Sequence, residues 1–192
     1  KNFLKLNENE SLKEIFILIF PEFLYLNRLK RLEKVYDLPK LNKELILATL
    51  LIDEKDNLEY FYHKYNLSNR IQKNLNKITL NLNEIFRNKD FFTKDLLKNL
   101  YINGKDHLID LNLVNFAKNS TIKFQDFSKI LQKILSSRIP KFQINGEYLK
   151  QNGMTEGTSL GKALKIIENE WLENNFKISK DRVREIIKTF SD

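Results

Sequence analysis

Gly146, Gly153, Gly157 and Gly161, four of the chain's five glycines, crowd into one stretch together with Lys150, flanked by Lys141, Lys162 and Lys165. Glycine serves where the backbone needs a positive φ or where another group must come close to the main chain. The last three recur every fourth residue and lead straight into an amphipathic run. Bare N–H groups at the positive end of a helix, with cations nearby, can hold an anion such as phosphate. Gly153 and Gly157 would admit the anion to the backbone, and the N–H groups from Ser159 to Lys162 would point outward from a helix start. The same spacing also suits close helix packing, with Phe142, Ile144 and Leu149 anchoring the turn.

Other chemistry is sparse. The two histidines, His63 and His107, are far apart, and His107 has only Asp110 at helical i, i+3 spacing. Both are expected to be structural or surface residues. The carboxylate runs Asp53/Glu54/Asp56 and Glu168/Glu170 sit among lysines and read as solvated helix faces. There is no G-x-S-x-G, P-loop or H-E-x-x-H pattern. With no cysteine, disulfides and thiolate metal sites are excluded, and a reducing, cytoplasmic setting is expected.

The elements that must position the glycine stretch are helical. A period of 3.6 residues runs the length of the chain. Leu12, Ile15, Phe16 and Ile19 make one apolar face, stopped by Pro21, and Phe23 to Val35 resumes it. Leu41 to Ile52 is almost wholly apolar and predicts a helix buried on most sides. Leu58 to Tyr65 follows, then a helix capped by Ser68 and ending near Ile78. Residues 79–90 are Asn-rich and predict a connection with a short helix at Asn83 to Phe86. Further helices are expected over Phe92 to Tyr101, Lys105 to Ala117, Phe124 to Leu135, Ser159 to Asn174 and Lys180 to Phe190. Asn103-Gly104 is placed as a helix C-cap rather than a hairpin turn, because its flanks have helical periodicity. Trp171 falls on a stripe with Leu160, Leu164 and Ile167 and is expected in the core. The fold class is all-α: an irregular multi-helix bundle of about ten helices in two lobes, divided into 1–120 and 121–192, with a glycine-rich loop at 140–161.

A net charge of +8 invites a nucleic-acid partner. Lys, Asn, Ile and Phe are abundant, however, while alanine occurs only at Ala48, Ala117 and Ala163, a skew that AT-rich coding produces in any protein. The excess is also diffuse, with +4 on each side of residue 120. Charge alone therefore supports RNA only weakly. No apolar run has membrane-spanning length, and no secretory signal pattern is present. The chain starts at Lys1 and its single methionine is Met154; a C-terminal piece of a longer product is the expectation.

The stretch Ile139-Pro-Lys-Phe-Gln-Ile-Asn-Gly-Glu-Tyr-Leu149, followed by Gly153, Gly157, Gly161, Leu164 and Trp171, resembles the C-terminal signature of class II tRNA nucleotidyltransferases, the CCA-adding enzymes of the poly(A) polymerase family. Glu147 stands where that family usually has Asp, and Glu156 where Pro is common. Earlier segments resemble the family's helical body in the right order. They are Phe20-Pro-Glu-Phe-Leu24, Leu45-Ile-Leu-Ala-Thr-Leu-Leu51, Tyr65-Asn-Leu-Ser-Asn-Arg70 and Leu96-Leu-Lys-Asn-Leu-Tyr-Ile-Asn-Gly104, with Asp110 and Ala117. Asp181-Arg-Val-Arg184 contains an Asp-x-x-Arg, but Lys180 replaces the Glu of the family's nucleotide-selecting element, and the match is taken as coincidence.

The resemblance implies that this chain is the body and tail of such an enzyme. The catalytic head and neck are missing, so the chain alone is expected to be inactive. It would have no cofactor of its own, Mg2+ and CTP/ATP belonging to the head. Its expected partners are the acceptor stem and T arm of tRNA and its own N-terminal head, with no membrane. Duplex RNA is recognised mainly through phosphate, 2′-hydroxyl and shape. The residues expected to meet it are Lys141, Asn145, Gly146, Lys150, Gly153, Gly157, Ser159, Gly161, Lys162 and Lys165. A related poly(A) polymerase and a stand-alone helical interaction module are the alternatives.

Overall fold

Apolar residues repeating at three- and four-residue intervals build eleven α-helices and no strand among the described residues, which in this computed structural model are 9–35, 42–53 and 55–191. The expected helix start at Leu41 and the carboxylate Glu54 lie outside them. The all-α expectation holds.

Contacts divide the chain into two compact units, Lys1–Ser137 and Arg138–Asp192. In the first, α1 (Glu10–Ile19) is capped by the Asn9 side chain, which accepts from Leu12 N–H. Pro21 opens a 3-10 turn, Pro21–Phe23, which separates α1 from α2 (Asn27–Glu33). The run predicted over Phe23 to Val35 is thus turn first and helix second. α3 (Lys43–Leu51) buries Leu45, Ala48, Thr49, Leu50 and Leu51, so it is enclosed on most sides as expected. α4 is Asn57–Lys64.

The largest departure is α5, Asn69–Arg87. The Asn-rich connection predicted after Ile78 does not exist, and the short helix at Asn83 to Phe86 is the last part of this one long helix. Interior Asn residues disfavour a helix by up to about 0.7 kcal/mol each. Leu75, Ile78 and Leu82 are buried along one stripe, and each contributes about 1.5–3 kcal/mol. Burial outweighs propensity; Asn69, Asn74, Asn76 and Asn83 are exposed, and Asn81 is half-buried with its amide bonded to His107.

α6 (Leu96–Asn103) begins later than predicted, because residues 88–95 form a side-chain-bonded turn. Asn88 donates to Asp95 at 2.8 Å and accepts from Asp90 N–H at 2.9 Å. Phe91 and Phe92, buried and edge-to-face at 5.0 Å, plug the core from this turn. Gly104 ends α6 as predicted, with φ at 83°.

α7 (Lys105–Lys118) is the centre of the unit and packs on α2, α3, α5, α6 and α8 (Phe124–Ser136). Arg31 ties α2 to the C-terminal end of α7. Its guanidinium donates to the carbonyls of Phe116, Asn119 and Ile122 at 3.0, 3.2 and 2.9 Å. By contacts the division between units falls at Ser137/Arg138, with α8 packed on α7. Phe127 lies 4.8 Å from Phe116, and its carbonyl accepts from Asn112.

The second unit contains α9 (Gly146–Gln151), α10 (Thr158–Glu173) and α11 (Lys180–Ser191). Its core is Leu149, Met154, Ala163, Ile167, Val183, Ile186 and Ile187.

Candidate nucleic-acid interface

The glycine stretch lies wholly within the second unit. Residues 137–145 form no helix or strand, and from 141 onward alternate side chains divide between core and solvent. Phe142 and Ile144 pack against the core, whereas Lys141, Gln143 and Asn145 are exposed. Phe142 meets Trp171 at 5.2 Å, and Trp171 meets Phe176 edge-on at 4.9 Å. Trp171 is buried, as its position on the stripe predicted.

Asn145 is the cap of α9: its Oδ1 accepts from Tyr148 N–H at 2.9 Å. Periodicity gave no hint of this six-residue helix inside the predicted loop, since it is too short to show a period, but Asn-Gly-Glu is a readable cap signal. A Cβ on Gly146 would come within 3.3 Å of Leu160, so this glycine lets α9 and α10 approach. Gly153 closes α9. With φ at 97°, its N–H donates to Lys150 O and the next N–H, of Met154, donates back to Leu149 O, both at 3.1 Å. That pair of bonds is a Schellman closure, and Met154 and Leu149 supply its apolar contact in the core. Gly146 and Gly153 thus serve packing and turn geometry.

Gly157 and Gly161 differ. Gly157 is the cap of α10 with φ 150° and ψ −169°, a backbone state essentially confined to glycine, and no side chain caps the helix start. No acidic residue occupies the first turn. The leading N–H groups of α10 are therefore left to solvent or a ligand. Gly161 sits inside α10, where a Cβ would meet nothing within 4 Å. Glycine there costs the helix about 1 kcal/mol relative to alanine, with no packing reason for it.

The lysines separate the same way. Lys150 is held between Glu156 at 3.0 Å and Glu147 at 3.4 Å. Its hydrogen bond to Glu156, then that to Glu147, holds its pKa above the usual lysine value. The two positions that depart from the family pattern are the two that clamp it. Lys162 and Lys165 are exposed on the side of α10 opposite Ala163, Ile167 and Trp171, beside Thr158 and Asn169. Lys141, Lys162 and Lys165 form no ion pair with any described residue. Ser159 is exposed in the first turn. Gly157, Ser159, Gly161, Lys162 and Lys165 share the cap and first half of α10, and only part of the predicted set presents a cation or backbone unpaired among the described residues.

Asp181 and Arg184 form an exposed i, i+3 pair at 3.2 Å on α11, so the Asp-x-x-Arg match is a surface ion pair. Arg182, which sequence reasoning passed over, grips Glu170 with two bonds of 2.8 and 2.7 Å and pins α11 to α10. Its guanidinium keeps the Glu170 carboxyl below its ordinary pKa. Among the described residues no three His, Cys, Asp or Glu side chains gather into a metal site, and no helix is long and apolar enough to cross a membrane.

A family model described as tRNA nucleotidyltransferase domain 2 (putative) matches residues 41–187, which takes in most of both units. A Danio rerio protein named CCA tRNA nucleotidyltransferase 1, mitochondrial, is 30% identical over 70 residues. That match covers 36% of this chain and 16% of the relative's length. No solved structure matches.

Proposed function

The chain belongs to the tRNA nucleotidyltransferase family, and on that premise we propose that it is the body and tail of a CCA-adding enzyme, holding the acceptor stem and T arm of tRNA while a separate head extends the 3′ end. The observation that carries this is the α10 face. Uncapped N–H groups behind Gly157, a bare backbone at Gly161, and the unpaired Lys162 and Lys165 lie together, with Lys141 in the same unit. A phosphate chain offers such a face charge and acceptors, and no base need be read.

Mg2+, CTP and ATP belong to the head in this proposal, and the chain alone adds no nucleotide. The head is also its protein partner. The exposed Leu12, Ile15, Leu18 and Ile19 of α1 suit a protein contact better than RNA. We propose a cytoplasmic setting, this chain itself carrying no cysteine; the Danio rerio relative carries a mitochondrial name.

The test is binding of the purified chain to an acceptor–T-arm minihelix across a salt series. Affinity should exceed that for a random duplex and fall steeply with salt. Equal affinity for both RNAs would remove the specific arm-holding role.

A further inference from the structure

We propose that a cavity in the first unit, where the C-terminal ends of α5 and α7 meet the turn that follows α7, receives an unpaired RNA base stacked on Phe86. This is a second contact, separate from the α10 face, and it rests on the reading that the chain holds RNA. The cavity has a volume of 820 Å³, within the range of pockets that hold a nucleotide-sized ligand. Leu82, Ile85 and Ile122 give it an apolar floor. Phe86 lines it and is 89% exposed, the most exposed large hydrophobic residue among those described. It makes no ring contact with another described aromatic.

The polar side of the cavity selects the ligand. The side-chain amides of Asn83 and Asn115 make no hydrogen bond with any described residue. Asn119 accepts through Oδ1 from Thr121 N–H at 3.0 Å and from its hydroxyl at 2.8 Å, and its NH2 group donates to no described residue. An apolar peptide segment seated here would strand these amides away from water, each at about 1–3 kcal/mol. The cations lining the cavity are Arg28 and Lys118, and Arg28 is engaged with backbone carbonyls. It donates to the carbonyls of Ile52 and Thr49 at 2.7 and 3.1 Å. A planar ring with apolar faces and mixed donors and acceptors at its edge satisfies both sides. Unpaired RNA bases are recognised in that manner, by aromatic stacking and edge hydrogen bonds.

The experiment compares the affinity of the chain for an RNA hairpin with an unpaired loop and for the same stem as a blunt duplex. Phe86→Ala should weaken hairpin binding roughly tenfold, within the range for losing one base–aromatic stack, and leave duplex binding unchanged. Because Phe86 is exposed, its unfolding midpoint should match that of the parent. Phe86→Trp should restore hairpin affinity, and its indole emission should be quenched by the hairpin but not by the duplex. Unchanged hairpin binding, or equal losses on hairpin and duplex, would overturn the base pocket. So would quenching by free nucleotides alone, which would mark a small-molecule site, or a change in oligomeric state, which would mark a face for a second copy. If the parent chain binds neither RNA, the RNA-holding function itself fails. If it binds duplex normally and Phe86 has no effect, only this pocket fails.

Discussion

His107 shows how one side chain takes its character from its surroundings. Its Nε2 lies 2.9 Å from the Asn81 amide, and burial, with the Lys77 charge added, presses its pKa down to about 4. The folded state therefore holds the neutral ring, while the unfolded chain takes up a proton near pH 6.5. The contribution is complete above about pH 6.5 and is lost as pH falls toward about 4. Asp110 runs in the opposite sense at lower pH, since burial, then Asp106 and Glu44, raise its carboxyl against the Asn42 hydrogen bond. Denaturation midpoints between about pH 7 and 5 should decline in the parent and flatten in His107→Gln; parallel curves would contradict this. Gly153→Ala forces a side chain to φ 97° with no steric neighbour, so the cost is purely backbone, about 1–2 kcal/mol. Urea unfolding of the variant should show that loss. Glycine at this place was foreseeable from the cluster, but its role as the closure of α9 depends on two hydrogen bonds that spacing alone cannot reveal.

At the level of the helix, α10 and α9 divide the lysines into free and clamped. Lys162→Ala and Lys165→Ala should each lower RNA affinity and reduce the slope of log affinity against log salt by about one, the loss of one phosphate contact. Lys150→Ala should do less, because Glu156 and Glu147 already neutralise that ammonium. Salt-titrated binding of the three variants decides the point, and an equal effect of all three would show that RNA displaces the clamp. Long periodic helices such as α7 and α10 were legible within a residue or two of their ends. α5 was not, because its asparagines mimic a loop unless the burial of Leu82 is known. The opposite error hid α9, where glycines masked six helical residues.

For the whole molecule, the second unit has its own core, from Leu149 and Met154 through Ile167 to Ile187. A polypeptide of residues 138–192 should therefore melt cooperatively by circular dichroism, with the marginal stability of so small a core. A broad, non-cooperative melt would show that it depends on the first unit. The all-α class, most of the helices, and family membership were within reach of the sequence, because periodicity and ordered motifs are local properties written along the chain. The place of α8, the clamp on Lys150 and the cavity beside Phe86 were decided only by tertiary structure. Each joins residues distant in sequence, or sets a charge against a partner, and no local pattern encodes which side chains end up facing one another.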